Sequence, residues 1–284
     1  MNNLSNNTKN DIMSLIYILW QEGNKMLGKI KELYDYREMI HSMVRKELRG
    51  RYKSSVLGFL WTFINPLCQI IIYTMVFSMI FRMDVDKYYL FLTVVMIPWV
   101  FFSSSLTGGA MSIVNSKDLL SKIYFPREVL PISFVTSCFV NMLLSFIVVF
   151  GVLFISGWGV SFKALLFLPL VMLVEYVLCL GLTMIISACT VYFRDLEHIM
   201  GVLMMAWIYL TPVMYDINYV PEKLQTIFQL NPMTAVALAY REILYYKQVP
   251  KMSNLIVSIT VGVVSLIFGG IIFSKLQKNF VEEL

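Results

Sequence analysis

The chain has 284 residues, of which 58% are hydrophobic and only 14% are charged, against about 25% in an average soluble domain. Its mean hydropathy is +0.71 and its formal net charge is +5. So few charged side chains cannot cover a soluble domain of this length, which excludes an ordinary cytosolic enzyme, a disordered protein and a nucleic-acid-binding domain. The composition predicts one integral membrane domain with small polar ends.

Stretches without charged residues mark the predicted membrane spans. A helix needs about 20 apolar residues to cross a bilayer. Six stretches qualify, and they predict an all-α membrane fold with spans at 56–81, 90–113, 130–155, 164–191, 199–214 and 254–274. One charge, Glu175, lies deep within a span. It is either a proton relay or substrate contact, or a carboxyl group that is protonated or paired between packed helices.

Lysine and arginine orient these spans. Sixteen of the 23 lie in the two ends of the chain or in the loops 114–128 and 192–198, which fall on one side if the chain crosses six times. Because loops rich in basic residues stay in the cytoplasm, both termini are predicted to be cytoplasmic. The predicted domains are an N-terminal segment, 1–53, a transmembrane domain, 54–275, and a tail, 276–284.

Residues 30–53 combine an apolar stripe with a basic face. A base-rich amphipathic helix lies along the cytoplasmic membrane surface, in contact with membrane lipids. Five residues form the apolar stripe at steps of three and four: Tyr36, Ile40, Met43, Val44 and Leu48.

The segment between the fifth and sixth spans contains a helix break. Residues 224–240 carry no charge, but Asn231-Pro232 interrupts them, because proline lacks an N–H and restricts the residue before it. Two short helices that enter the outer half of the membrane and return are predicted here. The alternative is a seventh span, which would place Lys275 and Lys278 on the wrong side.

The loop Ser116–Pro131 is basic and amphipathic. Leu119, Leu120, Ile123 and Tyr124 have helical spacing, and Pro126 ends the predicted helix. This short cytoplasmic helix is either a binding surface for a partner or an ordinary solvated loop.

No residue pattern predicts catalysis, a metal or a bound nucleotide. The four cysteines lie in apolar stretches without a CxxC pair, and His41 and His198 are far apart in the sequence. Residues 23–29 match most of a phosphate-binding loop, but Ile30 stands where Mg²⁺ coordination needs Ser or Thr. ATP and Mg²⁺, if used, must be bound by another polypeptide.

Three motifs resemble the ABC-2 type permease family. In that family a basic interfacial helix with a Tyr-Lys pair precedes a Gly-x-Leu-Trp and an Asn-Pro, and here these residues are Tyr52, Lys53, Gly58, Leu60, Trp61, Asn65 and Pro66. The segment 115–131 resembles the family's coupling segment. The third motif is Asn231-Pro232 followed by Arg241. The resemblance is nearest to the subgroup that exports O-antigens, other polysaccharides and teichoic acids.

The resemblance implies a homodimer in the bacterial cytoplasmic membrane, working with two copies of a separate ATP-binding cassette ATPase that binds ATP and Mg²⁺. The substrate it implies is a glycan linked to undecaprenyl pyrophosphate. Residues implied to dock on the ATPase are Lys117, Asp118, Leu119, Leu120, Lys122, Tyr124, Phe125, Arg194 and Asp195. Residues implied to form an external gate are Asn231, Pro232 and Arg241.

Two further groups are hypotheses from residue chemistry within this framework. Basic and phenolic groups that could attract a pyrophosphate headgroup are Arg45, Lys46, Arg49, Arg51, Tyr52 and Lys53. Aromatic rings either face lipid or stack on sugar rings along a channel, and the candidates are Trp61, Tyr73, Trp99, Phe102 and Trp207.

Two other functions stay open. The first is an ABC-2 type exporter of drugs or lipids, although such chains more often carry a large external domain, for which the loop 82–88 is too short. The second is a membrane enzyme acting on lipid-linked sugars, with Glu175, Asp84 and Asp86 as its acids.

Overall fold

The computed structural model describes residues 28, 31–52, 55–80 and 85–284, and within these residues it contains helices and no strand. Lys53 and Asp84, the phosphate-loop-like residues Gly23 and Lys29, and the side chain of Tyr52 lie outside the described part. In chain order the helices are α1 (Arg37–Tyr52), α2 (Trp61–Thr74), α3 (Tyr88–Ala110), α4 (Lys117–Leu120), α5 (Val129–Ile155), α6 (Phe162–Leu165), α7 (Leu168–Tyr192), α8 (Leu196–Leu210), α9 (Glu222–Leu230), α10 (Pro232–Leu244), α11 (Met252–Leu276) and α12 (Phe280–Glu283).

Five helical stretches are long and apolar enough to cross a membrane. They are Gly58–Ile80, Tyr88–Ala110, Val129–Ile155, Phe162–Tyr192 and Met252–Asn279. The remaining predicted span, 199–214, forms α8, whose 15 residues extend about 22 Å, short of the ~30 Å hydrocarbon core. The membrane-spanning, all-helical character is thus confirmed, and the sixth span stays a prediction.

Helix α3 is the centre of the bundle. In its apolar part 78% of the residues are buried, against 11% in the apolar part of Gly58–Ile80. Helix α3 contacts α2, α5, α7, α8 and α10. A helix that is apolar on all sides is expected in such a place. Helix α2, by contrast, presents an apolar face that the other described residues do not cover.

Helices α7 and α11 approach each other closely through glycines. A Cβ added to Gly269 would lie 2.4 Å from the carbonyl oxygen of Gly181, and one added to Gly181 would lie 2.4 Å from the carbonyl carbon of Ser265. Small residues permit this direct contact of two backbones. Gly269 of the last long helix therefore packs within the chain.

The segment after α8 is broken as the sequence predicts. Helices α9 and α10 have 9 and 13 residues and are separated at Asn231, so neither is long enough to cross a membrane. Pro232 occupies the first turn of α10, where its missing N–H leaves no hydrogen bond unmade.

Candidate functional site

The coupling segment, which we define as Lys117–Phe125, projects from one end of the bundle. Its helix is shorter than predicted: α4 has one turn, and the amides of Lys122 and Ile123 both donate to the carbonyl of Leu119. The chain is then non-helical up to Pro126, which restricts the residue before it.

Two apolar side chains of this segment face outward. Ile123 is 55% exposed and Tyr124 is 84% exposed, whereas Phe125 is buried. The charged residues Lys117, Asp118 and Lys122 are exposed, and Leu119 and Leu120 are half-buried. Exposed apolar side chains ringed by charges are a typical protein-docking surface. Arg194 and Asp195, in the loop between α7 and α8, are exposed as well.

Helix α1 lies against α5 and borders an open, mostly apolar groove of about 1010 Å³. Arg37, His41, Arg45 and Arg49 follow one another at four-residue steps along the groove, so they form a single basic edge. The opposite wall includes Phe59 and Val140. A groove of this kind suits a phosphate group joined to an apolar chain.

Two of the proposed headgroup residues stand apart from this edge. Arg51 reaches inward, where its Nη2 donates to the Sγ of Cys138 at 2.8 Å and its guanidinium lies 5.7 Å from the centroid of the Phe134 ring. Lys46 is exposed but does not line the groove. The groove instead includes Arg37 and His41, which were outside the predicted set.

The five candidate channel aromatics separate into two groups. Trp61 is 43% exposed and Tyr73 is half-buried on the same helix, α2. Trp99 and Phe102 are buried, with ring centroids 5.6 Å apart, and Phe102 lies 5.4 Å from the half-buried Trp207. In this conformation Trp99 and Phe102 are covered by the chain's own helices and do not face an open path.

Asn231 holds the break between α9 and α10 to the end of α8. Its Oδ1 accepts from the Met233 amide at 3.1 Å and from Trp207 Nε1 at 2.9 Å. Its Nδ2 donates to the Leu210 carbonyl at 3.1 Å and to Thr211 Oγ1 at 2.8 Å. The side chain is thus both the N-cap of α10 and a link to α8.

Arg241 joins α10 to the same loop after α8. It is 1% exposed, and its guanidinium donates to the carbonyls of Pro212 at 2.9 Å, Val213 at 3.1 Å and Tyr215 at 3.3 Å. The guanidinium also lies 3.6 Å from the centroid of the Phe91 ring on α3. Asn231, at the start of α10, and Arg241, near its end, therefore both hydrogen-bond the loop 210–215. Both are polar residues of the gate predicted from the sequence.

The next residues extend this cluster toward the surface. The Tyr246 hydroxyl donates to Asp216 Oδ2 at 2.9 Å. Burial, together with this carboxylate, raises the pKa of Tyr246 to about 12, so the phenol stays protonated and keeps donating.

Glu175 lies in the interior, between α7 and α10. It is 0% exposed, and its Oε2 accepts a 2.7 Å hydrogen bond from the hydroxyl of Tyr240. A buried carboxyl group needs such a partner, and here the partner comes from the helix that also carries Arg241.

Residues 38–245, which run from α1 to the end of α10, match the ABC-2 type transporter family. The chain belongs to this family. Its coupling segment, its basic groove edge and the two polar residues that fasten the loop 210–215 all lie within or at the border of the matched region.

The chain is similar to O-antigen export permeases and to a polysialic acid transport protein. The O-antigen export system permease protein RfbA of Myxococcus xanthus is 35% identical over 261 residues, covering 91% of this chain and 100% of the relative. RfbA of Klebsiella pneumoniae is 32% identical over 260 residues, covering 92% and 99%. The polysialic acid transport protein KpsM of Escherichia coli is 22% identical over 209 residues, covering 72% and 80%.

Proposed function

We propose that this ABC-2 transporter is the membrane permease of a polysaccharide exporter of the O-antigen type. The observation that carries the proposal is the similarity to two O-antigen export permeases along more than nine-tenths of this chain and essentially all of each relative. The sequence leaves no room for a large domain between the first two long helical stretches, because only seven residues, 81–87, separate Gly58–Ile80 from α3.

The energy source in this proposal is a separate ATP-binding cassette ATPase, present in two copies, which binds ATP and Mg²⁺. Ile123 and Tyr124 supply apolar contact area on the coupling segment, and the exposed charges around them fix the orientation of docking. Arg194 and Asp195 offer a second contact on the same end of the bundle. Closure of the ATPase then displaces the coupling segment and tilts the spans.

The groove beside α1 is the proposed place where the lipid-linked substrate meets the permease. Its basic edge attracts a pyrophosphate, and its apolar wall accommodates the first part of an undecaprenyl chain. Arg45 and Arg49 are the proposed headgroup ligands. Arg51, which hydrogen-bonds Cys138, instead fixes the end of α1.

The glycan path is proposed to lie between two copies of the chain. A long, polar and uniform substrate needs a continuous path more than one deep pocket. Trp61, on the face of α2 that the described residues leave uncovered, is the aromatic residue best placed to contact sugars there. In this proposal the chain crosses the membrane six times, and α8 with the loop 210–215 forms the fifth crossing. Both termini then lie in the cytoplasm, and α9 and α10 form a re-entrant gate on the external side.

Deletion of the gene in its native cells tests this proposal. A lipid-linked glycan should accumulate inside the cells, and the wild-type gene should restore export. The double charge reversal Arg45→Glu/Arg49→Glu should fail to restore it, whereas the matched reversal Lys163→Glu, at the exposed external α6, should succeed. Normal surface glycan with increased sensitivity to drugs would instead indicate a drug or lipid exporter.

A further inference from the structure

We infer that the C-terminal tail, residues 276–284, is a positioning element for the coupling segment. The inference rests on the proposed function, because it takes the coupling segment as the surface that receives the movement of an ATPase. No motif in the sequence assigns any role to the tail. The structure shows that the tail is packed beneath the coupling segment.

Phe280 anchors the tail. After α11 the chain forms a short 3₁₀ turn, Gln277–Asn279, and α12 then places the Phe280 ring inside the bundle with 0% exposure. The ring centroid lies 5.7 Å from that of Phe273, edge to face, and 6.2 Å from that of Tyr192. The Tyr192 hydroxyl also donates to the Leu276 carbonyl at 2.7 Å, which fixes the end of α11. The tail is therefore attached to both α7 and α11.

Two side-chain contacts connect the tail to the end of the coupling segment. The Arg127 guanidinium lies 5.7 Å from the centroid of the Phe280 ring, and Gln277 Nε2 donates to Glu128 Oε1 at 3.0 Å. Arg127 and Glu128 lie between the coupling segment and α5, separated from the segment only by Pro126. The tail thus contacts one of the two connections through which movement of the segment can pass into a membrane span.

Both ends of the loop that carries the coupling segment are fixed in one buried cluster. Ile113, before the loop, and Phe125 and Val129, at its end, pack with Phe273 and Phe280. Between these ends the backbone hydrogen bonds are local, such as the amide of Ser121 to the carbonyl of Lys117 at 3.1 Å. The segment therefore depends on this cluster for its position.

This arrangement determines how a push on Tyr124 can reach the spans. Close-packed side chains transmit a displacement, whereas a loop whose ends are poorly packed absorbs the displacement by local rearrangement. Loss of the Phe280 ring would leave a cavity in the buried cluster that holds the ends of the loop, while the docking residues Ile123 and Tyr124 stay unchanged. The expected defect is a loss of coupling, with docking retained.

The test uses the complete transporter, purified with its ATPase and reconstituted in vesicles. Phe280→Ala should lower glycan export per ATP hydrolysed about fivefold or more, the lower end of typical coupling between sites. The ATPase should co-purify at the wild-type ratio, with an unchanged KM for ATP. Phe280→Leu, which keeps the apolar bulk, and Phe154→Ala, at an exposed ring on the far end of α5, should stay close to wild type.

Three results would overturn the inference. The first is a wild-type ratio of export to ATP hydrolysis in Phe280→Ala. The second is a parallel fall of chain abundance, ATPase binding and export, which would mean a purely structural role. If Phe280→Ala does not accumulate in the membrane, the double variant Arg127→Ala/Gln277→Ala replaces it, because it keeps the buried Phe280 ring and removes both side-chain contacts between the tail and residues 127–128. The third result is a wild-type ratio of export to ATP hydrolysis in this double variant. A wild-type chain without any bound ATPase would instead refute the proposed function.

Discussion

The glycine contact between α7 and α11 yields a quantitative prediction for Gly269→Ala. The added Cβ would lie 2.4 Å from the Gly181 carbonyl oxygen, whereas ordinary van der Waals contact begins at 3.4 Å. The helices would have to separate by about 1 Å, and overpacking of this kind costs about 1–3 kcal/mol.

The neighbouring Gly270 is a matched control. A Cβ at Gly270 would have nothing within 4 Å, so Gly270→Ala receives only the stabilisation of about 0.5–1 kcal/mol that alanine gives within a helix. Because both variants receive this same contribution, their difference in unfolding free energy isolates the overpacking cost. We expect Gly269→Ala to be the less stable by about 1–3 kcal/mol.

Unfolding of the two purified variants in the same mild detergent measures this difference. The free energies of unfolding should be compared with that of the wild type, and size-exclusion profiles should confirm that both variants fold. Equal stability of Gly269→Ala and Gly270→Ala would refute the reasoning, because it would mean that the two backbones are not in contact.

Three predictions concern α10 and its contacts with α7 and with the loop 210–215. Arg241→Gln should destabilise the chain by about 2–4 kcal/mol, since three loop carbonyls lose a charged donor; unchanged proteolysis of the external loops in sphaeroplasts would contradict this. Asn231→Ala should lose about 1 kcal/mol of capping energy and Asn231→Asp should lose less, as thermal unfolding can measure; equal losses would argue against the cap. Tyr240→Phe should lower the free energy of unfolding by about 1–3 kcal/mol, because Glu175 loses its hydrogen-bond donor. In a double-mutant cycle, Tyr240→Phe should cost much less when Glu175→Leu is already present; strictly additive losses would show that the pair does not interact.

The membrane spans could be predicted from the sequence because hydropathy is a local property. Five of the six predicted spans match the long helices within a few residues, and Asn231-Pro232 located the break between α9 and α10. The predicted span 199–214 overlaps the helix α8, which begins earlier, at Leu196, and ends at Leu210, because Thr211 takes an extended backbone conformation.

Contacts between distant residues could not be predicted in the same way. Tyr240 is 65 residues from Glu175, and no local pattern connects them. Composition likewise cannot distinguish a lipid-facing aromatic from a central one, so it could not predict that Trp99 and Phe102 are buried on the central helix α3. The tail looked like a polar extension because five of its nine residues are polar, and no local pattern marks Phe280 as a buried residue.

The central claim is that this ABC-2 transporter is the permease of an ATP-driven exporter. Purification of the tagged chain from its native membranes, in mild detergent, tests it most directly. We predict a stoichiometric ATPase subunit that hydrolyses ATP in the complex and that is lost when residues 118–124 are scrambled. A folded chain that purifies alone, or an ATPase that stays bound to the scrambled variant, would contradict the account.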